Sequence, residues 1–547
     1  MNLKRELGRL IHHKFFFVGL LSFIWLLFRT GMKPTRITYP CQKTAAVTTS
    51  LWYATYILPI GALVRQRTSS PSSRNLLIGV SSLIVGGVIC VVLLMNGAAG
   101  SLQAAQSGGG SIGIHIADSF SAEQDASDIF VVNGTTGADG GVPTLLDLMA
   151  QKGLQFYSLS GSGGQGGRAG LIGKDDVVII KVNSQWPERG GTNTDVVKAL
   201  IRAITNHPEG FTGEIIIADN GQGLGSFSRS NSNAETTTQS FDQVVAAFSG
   251  TFHVSTYLWD TISANRVNEY DTGDTKDGYV VNTMPNPRTG ICVSYPKFTT
   301  KYGTQVSLKD GIWANNAYDS TRLKLINVPV VKTHSLWGLT GAVKHYMGVV
   351  SDQLSSKAMG KDTHSTVGSG GMGTEMVESR FPILTVMDAI WINANPCRGP
   401  VTSYGAATRV NVIAASTDPI ALDSWAARSI LIPAARAKGY PVSTLDPDNM
   451  TAMCPDAVTA GYSGSFGHWL ELSMAEIRNA GYPATMDAGS MNVYVVEQGT
   501  PLPSMSPVEK ESPTTGAPAG GKAIGFEATL GILAIIGTVM IYRRWMK

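Results

Sequence analysis

Apolar segments alternate with helical patterns through the middle of the chain. Strands are predicted over Ile129–Val132, Val177–Val182, Glu214–Ala218, Leu325–Val331, Ile383–Val386 and Val410–Ala414, and helices over Val142–Gln151, Asp195–Thr205, Phe241–Phe248 and from Asp418-Pro419 onward. Buried strands joined by helices are typical of a parallel sheet that is covered on both faces. We therefore predict an α/β fold with a mostly parallel sheet and helices on both faces.

Charge is distributed unevenly along the chain, because the two flanks are basic and the middle is acidic. Residues 1–98 contain 11 Lys and Arg side chains and one acid, and the last five residues add three more basic side chains. Residues 99–542 carry 39 acidic and 29 basic side chains. Because phosphate contacts need a cationic surface, the acidic middle of the chain is not expected to bind nucleic acid.

The basic flanks also contain apolar runs of the length that enters or crosses a membrane. These are Phe15–Phe28, which is short, Ala46–Val64, Leu76–Met95 and, near the C-terminus, Phe526–Tyr542. We predict two or three N-terminal transmembrane helices and one C-terminal transmembrane helix, with membrane lipid as a partner. Because basic loops favour the cytoplasmic side, the positive-inside rule predicts that residues 99–522 are extracytoplasmic at the cell membrane.

These patterns divide the chain into five parts. They are a membrane segment at 1–98, a Gly-, Ala- and Ser-rich linker at 99–124, the α/β domain at 125–497, a Pro-, Ser- and Thr-rich stalk at 498–522 and a membrane anchor at 523–547. Within the α/β domain, the stretch Gly250–Ser320 is polar and without a clear period. We interpret it as an irregular insertion.

Polar side chains follow the apolar run Leu325–Val331, where the predicted strand ends. Lys332 and His334 come first, and a glycine-containing turn then leads to a helical pattern with Lys344 and His345. In open α/β sheets, ligands bind at the carboxyl ends of the strands. Because amine and imidazole groups can transfer protons there, Lys332, His334 and Lys344 are the candidate catalytic residues. The alternative is a capped helix with solvated lysines.

Other predicted strands and helices carry polar residues at similar places. Lys181 and Asn183 end one strand, and Asn193 and Asp195 lie where the following helix opens. Because helix N-termini favour anions, these four residues are candidates for binding a cofactor or a small anionic ligand. The alternative is that Asp195 and Thr194 are only helix caps.

Asp219 and Asp388 each end a predicted strand. Carboxylates are ligands that divalent cations prefer, so these two residues are the candidate metal ligands. Asp418 precedes Pro419 and is interpreted as a helix cap. His364 lies on a Gly- and Ser-rich loop, which is either a lid over the site or a disordered loop.

The five cysteines are widely spaced along the chain, at Cys41, Cys90, Cys292, Cys397 and Cys454. Iron–sulfur clusters and structural zinc sites use closely spaced pairs, and the chain has no haem-attachment motif, so none of these groups is expected. At most one disulfide is expected within the α/β domain. The chain also lacks the sequence motifs of serine-hydrolase and zinc-protease sites.

Several motifs together resemble the family numbered 362 among the domains of unknown function. They are Ile180–Asn183 with Thr192–Asp195, Ile215–Asp219, Asn327–Gly348, and Pro382–Asp388 followed by Thr417–Asp423. The run Arg29–Ala45 is similar to the leader of membrane-anchored members. Many relatives carry ferredoxin-type cysteine runs, which this chain lacks. The resemblance implies no particular activity, because the chemistry of the family is not generally established.

The C-terminal segment resembles an archaeal sorting signal, in which Pro-Gly-Phe precedes an apolar span and arginines. Gly525-Phe526-Glu527 and Arg543-Arg544 match this pattern, whereas Ile524 replaces the proline. Simple membrane anchoring is the alternative. Two functional hypotheses stay open for the whole chain. One is a membrane-anchored extracytoplasmic protein with a small-molecule or metal site, including an enzyme, and the other is a non-catalytic cell-surface binding or structural protein.

Overall fold

The computed structural model describes residues 126–160 and 170–499. The strands are β1 (Ser127–Asn133), β2 (Val177–Lys181), β3 (Glu214–Asp219), β4 (His253–Leu258), β5 (Gly278–Val281), β6 (Ser294–Thr299), β7 (Gln305–Ser307), β8 (Gly311–Ala314), β9 (Ala317–Asp319), β10 (Leu323–Asn327), β11 (Val330–His334), β12 (Gly338–Thr340), β13 (Leu384–Asn393), β14 (Thr408–Ser416) and β15 (Met491–Glu497). The α-helices are α1 (Gly141–Gln151), α2 (Thr194–Thr205), α3 (Phe241–Ala246), α4 (Asp352–Met359), α5 (Gly371–Glu378), α6 (Pro419–Ala426), α7 (Ile432–Ala437), α8 (Pro455–Thr459) and α9 (Phe466–Asn479).

One central sheet organises the described residues. Its strand order is β15-β1-β14-β13-β10-β2-β3-β4, and β11 joins it beside β13 and carries β12 on its other side. Neighbouring strands run parallel except in the pairs β1–β14, β13–β14 and β11–β12. The predicted α/β fold with a mostly parallel sheet is thereby confirmed.

Alternate residues of the central strands contribute to two separate apolar cores. In β2, Val177 and Ile179 belong to one core, and Val178 and Ile180 belong to the other. The first core contains side chains of α6 and α9, and the second contains side chains of α1 and α2. Because both faces of these strands are covered, their sequences are continuous apolar runs without alternation.

The apolar run Leu325–Val331 forms two strands, where the sequence predicted one. β10 ends at Asn327, and β11 begins at Val330 and pairs with β13 and β12. Pro329 lies between them and has no amide hydrogen to donate to a neighbouring strand. As a consequence, Lys332 lies inside a strand, and the strand ends two residues later, at His334.

The stretch Gly250–Ser320 is also more regular than the sequence predicted. Its first strand, β4, is the edge of the central sheet, and β5 to β9 form a separate five-stranded antiparallel sheet. These strands have three to six residues each, too few for a period-two pattern to be recognised. Tyr279 and Phe298 of this second sheet are fully buried in the first apolar core.

Several predictions concern residues outside the described ranges. These are the N-terminal membrane segment and its linker, most of the stalk and the C-terminal anchor. Among the described residues, none of the helices combines the length and the apolar character that a bilayer crossing requires.

Candidate functional site

A cavity of about 340 Å³ lies beyond the carboxyl ends of β2, β3 and β11. This is the edge at which the sequence predicted a ligand site. Its wall includes amide, carboxyl, amine and imidazole side chains, contributed by Asn183, Asp219, Asn220, His334, Lys344, His345, Asp352, Asp362 and His364. The structure therefore brings His334, Lys344, Asn183 and Asp219 together, as expected from their places in the sequence.

Lys344 begins the 3-10 helix Lys344–Gly348 and is only 5% exposed. Its Nζ lies 3.0 Å from Nε2 of His364. No carboxylate oxygen within the described ranges lies at ion-pair distance from this amine. Burial lowers the pKa of Lys344 to about 7, with Asp362 acting weakly in the opposite direction. Lys344 can therefore present a neutral amine at physiological pH.

The hydrogen bonds of His364 define its protonation pattern. The indole N–H of Trp337 donates to Nδ1 of His364 over 3.3 Å, so Nδ1 is an acceptor. A neutral His364 then carries its proton on Nε2, where it can donate to the neutral amine of Lys344. Burial, together with Lys344, holds the pKa of His364 well below its usual value.

His334 ends β11 and packs against His364, with ring centroids 5.4 Å apart. Its Nδ1 accepts a hydrogen bond from the backbone N–H of Leu336 over 3.1 Å, which leaves the proton on Nε2. Burial lowers the pKa of His334 well below its usual value, and the neighbouring Lys344 adds to this effect. The two neutral imidazoles can thus donate hydrogen bonds within the cavity.

A buried ion pair lies behind one wall of the cavity. Nζ of Lys181 is 3.0 Å from Oδ1 of Asp219, and it also donates to the carbonyl of His345 over 2.8 Å. The second oxygen of Asp219 accepts from N and Oγ of Ser184. Burial lowers the pKa of Lys181 and raises that of Asp219, while their mutual attraction opposes both shifts. A Cβ added at Gly348 would collide with this pair.

Four polar atoms of cavity-lining residues have no hydrogen-bond partner within the described part of the chain. They are Oδ1 of Asn183, Oδ1 of Asp219, Oγ1 of Thr340 and Nε2 of His345. Oδ1 of Asp219 lies in the ion pair with Lys181. Buried polar atoms in folded proteins nearly always have a partner, so the other three are available to a ligand or to water. The other ring nitrogen of His345, Nδ1, lies 2.7 Å from Oδ1 of Asn327.

Lys332 differs from the sequence prediction, which put it at the edge of the site. Its side chain is fully buried and its Nζ donates to the carbonyl of Gly190, and it does not line the cavity. The reason is that β11 continues past Lys332, so the side chain lies within the sheet layers. Burial and the nearby Lys344 hold its pKa well below the usual value.

Asn193, and not Thr194, caps α2, because its Oδ1 accepts from the amides of Asp195 and Val196. Asp195 accepts from the amide of Glu235 over 2.8 Å and from the side chain of Gln239 over 2.9 Å. Neither Asn193 nor Asp195 lines the cavity. Both residues stabilise the start of α2 in this structure, and their predicted binding role stays a prediction.

Asp388 is fully buried in the middle of β13, apart from the cavity wall. It accepts from the amides of Asn193 and Ile390 and from the side chain of Asn233. Burial raises its pKa to about 7. Within the described residues, no group of three or more His, Cys, Asp and Glu side chains is arranged to hold a metal. The metal site predicted at Asp219 and Asp388 stays a prediction.

The sequence did not identify two acids of the cavity wall, or Asp423 as the residue that holds the turn before Lys344. Asp352 and Asp362 line the cavity. Asp362 accepts from the amide of His364, which lies on the ordered 3-10 helix Thr363–Ser369. Asp423 of α6 accepts from the amides of Ala342 and Val343, directly before Lys344. Such contacts between distant segments have no periodic signal in the sequence.

A disulfide bond lies next to the cavity. Cys397 and Cys454 are bonded, and Cys292 is free and buried. The prediction of at most one disulfide in this domain is confirmed. Sγ of Cys454 lies 3.6 Å from the carbonyl oxygen of His334, and Pro400, three residues after Cys397, lines the cavity. The covalent link therefore restrains one wall of the site.

Comparison with known proteins supports the family resemblance over part of the chain. Residues 313–428 match the model of the family described as Domain of unknown function (DUF362). The matched stretch includes Lys332, His334, Lys344, His364 and Asp388, and it does not include Lys181 or Asp219. No match was found among curated proteins or among solved structures.

Proposed function

We propose that the chain is a membrane-anchored, extracytoplasmic α/β enzyme that binds a small anionic molecule in the cavity and transfers protons to or from it through Lys344. The observation that carries this proposal is the contact of the buried Lys344 amine with His364 inside the cavity, at 3.0 Å and without a carboxylate partner in the described ranges. A cavity of about 340 Å³ suits a small molecule.

The preference for an anion follows from the basic groups around the cavity. Burial keeps the pKa values of Lys344, His334, His364 and Lys332 below their usual values. An anion placed among these groups would favour their charged forms and regain the electrostatic energy that burial costs them. The acids on the wall are engaged, since Asp219 pairs with Lys181 and Asp362 accepts from His364 and Tyr462.

Acid–base chemistry follows from the same arrangement. A general base is most effective when its pKa lies near the working pH, and Lys344 has a pKa of about 7. The Nε2–H groups of His334 and His364 are nearby hydrogen-bond donors, because Nδ1 of each ring accepts a hydrogen bond. Lys344 can thus take a proton and return it, while these N–H groups stabilise the charge that develops on the ligand.

The proposed location rests on two features. The first is the set of apolar runs and basic loops in residues 1–98 and 523–547, which predicts an extracytoplasmic position for the domain. The second is the disulfide between Cys397 and Cys454, because disulfides persist in oxidising compartments outside the cytoplasm.

The test measures ligand-induced stabilisation of the full chain in detergent. Lactate and inorganic phosphate are titrated, and we expect at least one of them to raise Tm. The rise should be lost in Lys344→Met and kept in the control variant Lys324→Met. The amine of Lys324 lies 3.9 Å from Asp176, the residue directly before β2, at the end of this strand that is opposite to the cavity. The proposal fails if neither anion raises Tm, or if both variants lose the response equally.

A further inference from the structure

The three buried lysines near the cavity have different partners. Lys181 is 3.0 Å from Asp219, and Lys332 donates to the carbonyl of Gly190. Lys344 alone of these three lines the cavity, and the partner of its Nζ is a ring nitrogen of His364. A neutral imidazole that donates through Nε2 leaves the amine uncharged, and the lone pair of the amine accepts this hydrogen bond until the Nε2–H donates to the carbonyl oxygen of a ligand instead.

The other side chains on the cavity wall restrict which group can act as a nucleophile. Among the described lining residues there is no Ser or Cys, and Thr340 is the one hydroxyl. Carboxylates are weak nucleophiles, and Asp219 is committed to Lys181. Desolvated lysine amines act in enzymes by forming Schiff bases with carbonyl compounds. The amine of Lys344 is thus the strongest candidate nucleophile in this cavity.

We propose that Lys344 forms an imine with the carbonyl carbon of a small aldehyde or ketone that carries an anionic group. This inference rests on the proposed anion site and names the substrate class of that site. The anionic group of the substrate would lie among His334, His345 and the hydroxyl group of Thr340. Its carbonyl carbon would face Nζ of Lys344.

The reaction is balanced without an oxidant or reductant. The lone pair of Nζ forms a C–N bond to the carbonyl carbon, and one of the two Nζ protons passes to the carbonyl oxygen to give a carbinolamine, with Nε2–H of His364 hydrogen-bonded to that oxygen. The second Nζ proton then passes to the hydroxyl group, which leaves as water while the C=N bond forms. The net change is amine plus carbonyl compound giving imine plus water.

An imine of this kind is an electron sink for chemistry at the neighbouring carbon. A protonated C=N bond withdraws electrons from the adjacent C–H or C–C bond more strongly than the carbonyl does. His334 packs beside His364 and carries a proton on Nε2, so its N–H can stabilise by hydrogen bonding the negative charge that develops next to that carbon. The same groups that the acid–base proposal uses would therefore act on the imine.

The experiment traps the imine by reduction. Full-length protein in detergent is incubated with pyruvate and cyanoborohydride near pH 7.5, and peptide mass mapping locates the reduced adduct. The neutral fraction of an amine with pKa near 7 exceeds that of a solvated lysine by roughly 600-fold at this pH. We expect labelling of Lys344 to exceed that of the exposed Lys174 by a comparable factor and to saturate with pyruvate.

Controls separate this inference from the proposal on which it rests. Lys344→Met should abolish the saturable adduct, and Lys324→Met should keep it. Lactate, which lacks the carbonyl, should compete with labelling if it occupies the same cavity. Stabilisation by lactate without an adduct on Lys344 would overturn the imine and leave the anion site standing. Equal labelling of Lys344 and surface lysines would also overturn the imine, and absence of both responses would overturn both proposals.

Discussion

At the scale of single residues, the buried amine of Lys344 makes the stability of the fold depend on pH above neutrality. Its pKa is about 7 in the folded protein and 10.5 in its usual environment. Between these values the unfolded chain binds a proton that the folded chain does not, so the free energy of unfolding rises with pH. Urea unfolding of wild type and Lys344→Met from pH 7 to 10 should show wild type gaining up to about 1.4 kcal/mol per pH unit.

The matched control for this prediction is Lys324→Met. Lys324 is partly exposed and lies near Asp176, and its removal should not change the pH dependence. If the stability difference between wild type and Lys344→Met stayed constant across this range, the amine of Lys344 would be charged in the folded protein.

Lys332→Met should destabilise the fold, in contrast to a substitution at the rim of a site. The amine of Lys332 is fully buried and donates to the carbonyl of Gly190. Methionine fills a similar volume but leaves this carbonyl without a donor, which costs about 1–3 kcal/mol. Urea unfolding of the variant measures the loss. Unchanged stability would show that the hydrogen bond contributes no net free energy.

The sequence predicted the cavity residues best where the end of a predicted strand is also the end of a strand in the structure. His334, Asn183 and Asp219 were identified in this way, Lys344 was identified from the helical pattern after the glycine turn, and all four line one cavity. Lys332 was misplaced because Leu325–Val331 was interpreted as one strand, although Pro329 argues against an unbroken central strand. Asp423 could be recognised near a helix start, but its contact with the amides before Lys344 depends on tertiary packing.

At the scale of elements, the 3-10 helix Lys344–Gly348 depends on α6 for its position. Asp423 accepts from the amides of Ala342 and Val343 over 2.6 and 3.0 Å. Asp423→Asn presents an N–H₂ group to one of these donors and leaves it unpaired, which costs about 1–3 kcal/mol. We expect lower stability in urea unfolding and a weaker rise of Tm with anions, because the position of Lys344 shifts.

Asp448→Asn is the control for this prediction. Asp448 is exposed and pairs with Arg428 at the surface, where ion pairs contribute at most about 1 kcal/mol. Equal effects of the two substitutions would mean that Asp423 does not hold the turn.

Elements with a continuous apolar run or a periodic pattern were predictable from the sequence, and the strands of the second sheet were not. The strands β2 and β3 and the helices α1 and α2 were located within one or two residues, because each is a continuous apolar run or a periodic pattern. The sheet β5 to β9 was taken for an irregular stretch. Its strands are stabilised by pairing with one another, and such pairing between segments leaves little local signal.

At the scale of the whole molecule, the disulfide between Cys397 and Cys454 joins segments 57 residues apart. Replacing both cysteines by serine should lower the free energy of unfolding by about 2–4 kcal/mol, because the unfolded chain gains conformational freedom. A reductant should lower Tm in wild type and in Cys292→Ala, which keeps the bond, and should not change Tm in the double variant. A reductant-independent Tm in wild type would contradict this.

The topology of the chain is a second prediction at this scale. The basic loops predict that residues 498–522 lie outside the cell. A protease added to intact, wall-free cells should cut this segment and separate the α/β domain from the C-terminal anchor, which an immunoblot detects as a shorter product. Cutting only after lysis would reverse the predicted orientation.

Gly348 lies so close to the ion pair of Lys181 and Asp219 that a larger residue at this position would disrupt the pair. Its φ lies outside the left-handed region, so the backbone there would accept other residues. A methyl group at this position would occupy the space of Nζ of Lys181 and Oδ1 of Asp219. An alanine would therefore separate the two ions, and an unpaired buried charge costs about 3–5 kcal/mol. Because Gly348 has no side chain, Lys181 stays within ion-pair distance of Asp219 and neutralises its carboxylate.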